Sequence, residues 1–147
     1  MEIVQDTNVF VSALKSEEGA SAMVLDRCFA QKDQAFMGAA LYLEYEELIC
    51  RESLWEGVPV TRQEREIMFD DFCASACWQR VYFSWRPNLP DVSDDHVLEL
   101  AVAAGVEHLV THNKRDFLRS DLRFSLPLIV TPAEHLKKYY ENHSLSL

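Results

Sequence analysis

The chain reads as an α/β protein, a largely parallel sheet covered by helices. Three observations predict this class. Short β-rich runs alternate with helical patterns along most of the sequence. The first run ends in an acid, Asp6, at the strand end where such sheets gather ligands. A length of 147 residues with 48% hydrophobic composition suits one domain able to bury a real core.

Residues 2–6 form the first strand. Residues 20–31 space Met23, Val24, Cys28 and Phe29 as one helix face, with Ser21 available near the start. Residues 35–38 form a short second strand, and residues 39–51 a helix with Leu41, Tyr45, Leu48 and Ile49 inward. After the break at Gly57-Val58-Pro59, Thr61 and Glu64 make a capping box. The helix they open runs to about Cys77, with Ile67, Met68 and Phe72 as its buried stripe.

Residues 80–85 are rich in β-formers and give a third strand, closed by Pro87 and Pro90. Ser93 caps a helix that ends at Gly105 and turns Val97, Leu98, Ala101 and Val102 inward. Residues 108–111 and 126–131 are the fourth and fifth strands. Pro132 opens a last helix that runs to about Tyr140. The single domain thus covers residues 1–140, and residues 141–147 are a polar tail.

A net charge of −10 argues against a protein that coats nucleic acid, because phosphate affinity depends on Lys and Arg. It leaves open an enzyme that cuts nucleic acid, which collects acids at a metal site and needs only a local basic rim. No apolar run is long enough to span a bilayer and no secretory leader pattern opens the chain, so a soluble cytoplasmic protein is expected. Cys28, Cys50, Cys73 and Cys77 include no Cys-x-x-Cys pair and read as buried free thiols. Cys73 and Cys77, one helical turn apart, lack the further ligands a structural metal site needs.

Acids recur at element ends and on helix faces: Asp6, Glu44, the group Asp91, Asp94 and Asp95, and Asp116. Asp6 and the segment around Asn113 both lie just beyond strand carboxyl ends, on the same edge of a parallel sheet, and can converge. Asp94 and Asp95 also have an ordinary explanation as partners of a helix dipole. Carboxylates crowded into one site repel and raise one another's pKa, a cost that divalent cations offset. Oxygen ligands without a His or Cys set point to Mg²⁺ or Mn²⁺ rather than zinc. One or two such ions, about 3.5–4 Å apart where paired, orient and deprotonate water and stabilise the leaving oxygen of a phosphodiester.

Lys114, Arg115 and Arg119 adjoin Asp116, and Arg51 follows the Glu44 helix, so all four are candidates to hold flanking phosphates. The plainer account of them is a solvated helix end. Trp55, Trp78, Trp85, Tyr139 and Tyr140 are candidates for base stacking or a dimer interface, with core packing the commoner fate. Among the histidines, which form no His-x-x-x-His pair, His112 lies nearest the expected pocket.

Three blocks resemble the PIN-domain ribonucleases, in particular the VapC-like toxins of toxin–antitoxin pairs. They are Asp6-Thr7-Asn8-Val9-Phe10, Asp94-Asp95-His96-Val97-Leu98-Glu99-Leu100-Ala101, and Leu109-Val110-Thr111-His112-Asn113-Lys114-Arg115-Asp116-Phe117. With the Leu43-Glu44-Tyr45 helix they follow the family's order across most of the chain. The resemblance implies a three-layer α/β/α fold with a central, mainly parallel sheet of about five strands and an acidic metal pocket. It makes Asp6, Glu44, Asp94 and Asp116 the metal-holding acids, with Asp95 as a further ligand. Asn8, Thr111, Asn113, Lys114 and Arg115 become pocket-shaping or substrate groups. Asn113 stands where many relatives carry another acid, which implies a weakened second ion site and leaves the number of ions open.

Two assignments stay open at this level. Leu41, Glu44, Tyr45 and Leu48 share a helix face, which favours Glu44 over Glu47, and helix spacing favours Asp94 over Asp95. The resemblance also implies an RNA substrate, a cognate antitoxin and a homodimer. A dehalogenase-type phosphatase would need an acid where Asn8 stands, and a receiver domain an acid after the second strand, which instead ends Met37-Gly38-Ala39. The alternative of another class is a weak or inactive module that binds a protein or RNA partner. Mutually repelling acids argue against it, because a dead site has no reason to keep them.

Overall fold

Five strands, β1 (Glu2–Gln5), β2 (Gln34–Met37), β3 (Cys77–Trp78), β4 (His108–Val110) and β5 (Leu128–Val130), form one parallel sheet in the order β3-β2-β1-β4-β5. The computed structural model describes residues 1–81, 92–118 and 127–144, without the side chains of 92–95, 118 and 139–144. Among the described residues seven α-helices flank the sheet: α1 (Thr7–Lys15), α2 (Ala20–Phe29), α3 (Ala39–Cys50), α4 (Arg62–Ser75), α5 (Val92–Ala104), α6 (Lys114–Leu118) and α7 (Pro132–Ser144). The result is the expected three-layer α/β/α arrangement. None of the described helices is long and apolar enough to cross a membrane.

The strand order decides where chemistry can sit. From β1 the chain adds β2 on one side and β4 on the other, pairing Gln5 with Val110. A crevice therefore opens between the carboxyl ends of β1 and β4, where connections leave in opposite directions. Ile3, Val4, Leu109 and Val110 are fully buried, as strands covered on both faces require.

An aromatic cluster fixes the helices beneath that crevice. Phe10 of α1 meets Tyr45 of α3 edge-on with centroids 5.3 Å apart, and Tyr45 stacks on Phe69 of α4 at 5.6 Å. Such contacts add about 0.5–1.5 kcal/mol per pair beyond burial and set ring orientation. The Tyr45 hydroxyl donates to the Gln5 carbonyl at 2.6 Å, tying α3 to the end of β1. Buried Arg65 of α4 donates to the Ile49 carbonyl at 3.1 Å and lies 5.0 Å from the Trp55 ring, holding the far end of α3.

Several elements depart from the sequence reading. Helix α1 was not foreseen; it starts because Asp6, expected as the end of the strand, instead caps the helix and accepts from the Thr7 amide at 2.8 Å. A strand that was not foreseen, Cys77–Trp78, pairs with β2, while of the strand expected at residues 80–85 Arg80 and Val81 are in no strand and residues 82–85 lie outside the description. Ser21 sits inside α2, whose cap is Gly19, and Ser93 lies inside α5, which begins at Val92. Helix α7 extends to Ser144, past the expected end. Cys50 and Cys77 are exposed rather than buried, and Cys77 belongs to a strand, so it is not one helical turn from Cys73. The capping box of Thr61 and Glu64 is present with both bonds at 3.2 Å. Gly105 takes φ +66, the left-handed turn that ends α5.

At the opposite edge of the sheet lies a buried polar chain. Asp33 accepts from Arg27 at 2.8 and 3.0 Å, and its Oδ2 is 2.8 Å from His135 Nε2. His135 Nδ1 in turn lies 2.7 Å from His108 Nδ1. Burial pushes the Asp33 carboxyl up, but hydrogen bonds from His135 and Arg27 outweigh it and hold the group below the usual carboxylate range.

Candidate active site at the carboxyl ends of the first and fourth strands

Asp6 enters the crevice from the end of β1 with 4% of its surface exposed. Its Oδ1 accepts from the Thr7 amide, and its Oδ2 accepts from the Thr111 hydroxyl at 2.8 Å and from Asn8 Nδ2 at 3.2 Å. Thr111, fully buried just past β4, is fixed in turn by the Asn113 amide, which donates to its hydroxyl oxygen at 3.0 Å. Asn8 closes the loop, its Oδ1 accepting from the His112 amide at 3.1 Å. The two strand ends are thus stitched together around one carboxylate.

Glu44 arrives from α3, half-buried, on the face it shares with Leu41 and Tyr45. Its Oε1 accepts from the Thr7 hydroxyl at 3.0 Å, so one threonine grips both acids, by its amide and by its hydroxyl. Glu47, the competing choice, is exposed and paired with Arg51 at 2.5 Å. The structure therefore brings Glu44, and not Glu47, beside Asp6. On the other side of Glu44, His96 Nε2 lies 2.7 Å from Oε2.

Among the described residues neither Asp6 nor Glu44 has a Lys or Arg partner. Burial pushes the Asp6 carboxyl above its ordinary range and the Glu44 charge adds to it, against the hydrogen bonds from Thr111 and Thr7. Two carboxylates held together without a cationic side chain are a donor set suited to a hard divalent ion. Asp94 and Asp95 stand in the first turn of α5, ahead of His96, and their side chains lie outside the description. Asp91 lies outside it altogether. Asp116 is half-buried in α6, with no hydrogen bond to Asp6 or Glu44 among the described residues. Accordingly, the described residues contain no group of three His, Cys, Asp or Glu able to hold an ion.

The basic rim is partly committed elsewhere. Lys114 pairs with Glu134 at 3.0 Å and Arg51 with Glu47, while Arg115 is exposed with no hydrogen-bond partner among the described residues. Arg119, Trp85 and the side chains of Tyr139 and Tyr140 lie outside the description. Trp55 is a core residue and Trp78 is exposed beside Tyr42. His112 is exposed at the crevice, its Nε2 2.8 Å from the buried Ser21 hydroxyl.

Thr7 and His96 are the residues that sequence reasoning missed. Thr7 had no local signal, since a capping side chain ordinarily accepts from the second or third helical amide and Asp6 here accepts from the first. His96 had none, because its contact with Glu44 depends on how α3 and α5 pack.

A family model described as PIN domain matches residues 2–115. The search of curated proteins found no match.

Proposed function

The chain belongs to the PIN-domain family, whose members are generally nucleases acting on RNA or DNA, and from that premise we propose that it is a divalent-metal-dependent endoribonuclease. The observation that carries this reading is the grip of Thr7 on Asp6 and Glu44 at 2.8 and 3.0 Å, in a crevice where neither acid meets a Lys or Arg among the described residues. Asp6, Glu44, Asp116 and one or both of Asp94 and Asp95 would hold Mg²⁺ or Mn²⁺. When bound, the ion lowers the pKa of water and neutralises charge developing on the phosphodiester.

The chain's own groups do the positioning. Thr7, Asn8 and Thr111 fix the Asp6 oxygens, and the Thr7 hydroxyl also holds Glu44, which α3 brings to the crevice. Exposed Arg115 supplies a phosphate contact beside the crevice, and Lys114 supplies a second on leaving Glu134. Asn113 brings an uncharged side chain to a position where an acid would add a ligand, which supports a single tightly held ion.

The order of the motif blocks further supports a toxin of a VapC-like toxin–antitoxin pair, cytoplasmic and homodimeric, held inactive by a cognate antitoxin. An acidic toxin suits an antitoxin segment carrying Arg or Lys into the crevice. The test is cleavage of RNA by the purified chain with Mg²⁺ or Mn²⁺. Asp6→Asn and Glu44→Gln should each lower the rate by about 100-fold or more while circular dichroism stays unchanged. Equal cleavage by Asp6→Asn would refute the assignment.

A further inference from the structure

Glu44 is a long side chain at the mouth of the crevice, 28% exposed, and left alone it would sample several rotamers. It is not left alone. The Thr7 hydroxyl holds Oε1 at 3.0 Å and the His96 imidazole holds Oε2 at 2.7 Å, so each carboxylate oxygen has its own clamp. An ionised carboxylate only accepts, so Nε2 carries the proton and donates it. His96 Nδ1, on the other side of the ring, is buried without a partner among the described residues.

A buried, unpaired imidazole nitrogen costs free energy, and a leucine would fill comparable space without that cost. Packing therefore does not account for a histidine here. What the imidazole supplies is a rigid ring donor whose Nε2 reaches Glu44 Oε2 at 2.7 Å. A Lys or Arg in its place would bring a long side chain with a permanent charge that competes with a cation, whereas the imidazole holds one carboxylate oxygen from a ring of fixed reach. Each oxygen keeps further lone pairs for coordination.

Resting on the nuclease reading above, we propose that His96 is a positioning residue, holding Glu44 in the geometry that receives the divalent ion through the Nε2–H···Oε2 hydrogen bond. Helix α5 then serves the site twice, by bringing Asp94 and Asp95 to its first turn and by clamping the acid that α3 supplies. Partners of this kind behind metal-binding groups are worth roughly 10- to 100-fold in metal affinity.

The test is titration calorimetry with Mn²⁺ alone, on the folded full chain and its variants. His96→Leu should weaken Mn²⁺ binding by roughly 10- to 100-fold. His96→Gln, whose amide reaches the same oxygen, should recover most of the loss. His96→Asn, equally polar but too short to reach, should not, and this pair decides the matter even if His96→Leu fails to fold. In a Glu44→Gln background the His96 substitutions should have little further effect. Wild-type affinity in His96→Asn, or an undiminished His96 effect without Glu44, would overturn the proposal. No Mn²⁺ binding by the wild-type chain would overturn the nuclease reading and this proposal with it.

Discussion

The Tyr45 hydroxyl donates to the Gln5 carbonyl at 2.6 Å, and these two residues are the chain neighbours of Glu44 and Asp6. A single buried bond thus sets the height of α3 against β1, and with it the separation of the two acids. Burial pushes the Tyr45 phenol well above its ordinary pKa, with Asp6 nearby adding to the effect, so the group remains a donor at any working pH.

Tyr45→Phe keeps the aromatic cluster and removes only this bond, stranding the Gln5 carbonyl. It should lower stability by about 1–3 kcal/mol in urea unfolding and weaken Mn²⁺ binding in parallel. A stability loss without a metal effect would show that the Phe10 and Phe69 contacts of Tyr45 suffice to place Glu44.

Asp6→Asn should stabilise the metal-free protein by roughly 1 kcal/mol, because it removes a desolvated charge whose neighbour is another carboxylate. Adding Mn²⁺ should then raise the melting temperature of the wild type and leave the variant unchanged. Calorimetric scans of both proteins with and without the ion read this directly.

Gln5 is 1% exposed and neither atom of its side-chain amide has a partner among the described residues. Gln5→Met, of similar volume, should therefore raise stability by about 1 kcal/mol. A loss of that size would reveal ordered water bonded to the amide.

The buried chain at the far edge predicts acid sensitivity. Burial lowers the His108 pKa to about 4, with His135 and Lys138 adding to the shift and Asp33 opposing it. A depressed pKa means that the unfolded state binds the proton first. The contribution is whole above the unfolded value near 6.5 and is lost as pH falls toward 4, amounting to about 3 kcal/mol at 1.36 kcal/mol per unit. Asp33, also held low, loses its contribution in the same direction below the normal carboxylate range. Unfolding midpoints measured between pH 7 and pH 4 should fall, and His108→Gln should flatten that decline.

The sheet was legible because β1 and β4 are short apolar runs whose period and flanks admit little else, and their shared edge followed from parallel pairing. Asp6 and the segment around Asn113 could be placed at one crevice for the same reason, while Asn8 and Thr111 were readable only through the family resemblance. Glu44 was readable from helix phase together with the match to the family's helix acid, since Leu41 and Tyr45 share its face. Helix α1 escaped notice because Val9, Phe10 and Val11 suit a strand as well as a helix, and Asp6 as a cap decides between them. His96 was invisible because a contact between α3 and α5 is a property of packing, which no local pattern encodes.

The central claim is that Asp6 and Glu44 share one divalent ion. A crystal soaked in Mn²⁺, with data collected at a wavelength where manganese scatters anomalously, tests it most directly. The predicted result is a peak within coordination distance of oxygens from both residues, with carboxylate oxygens of Asp94 or Asp95 completing the set. A peak that touches neither acid, or a crevice closed by a Lys or Arg side chain, would contradict the account.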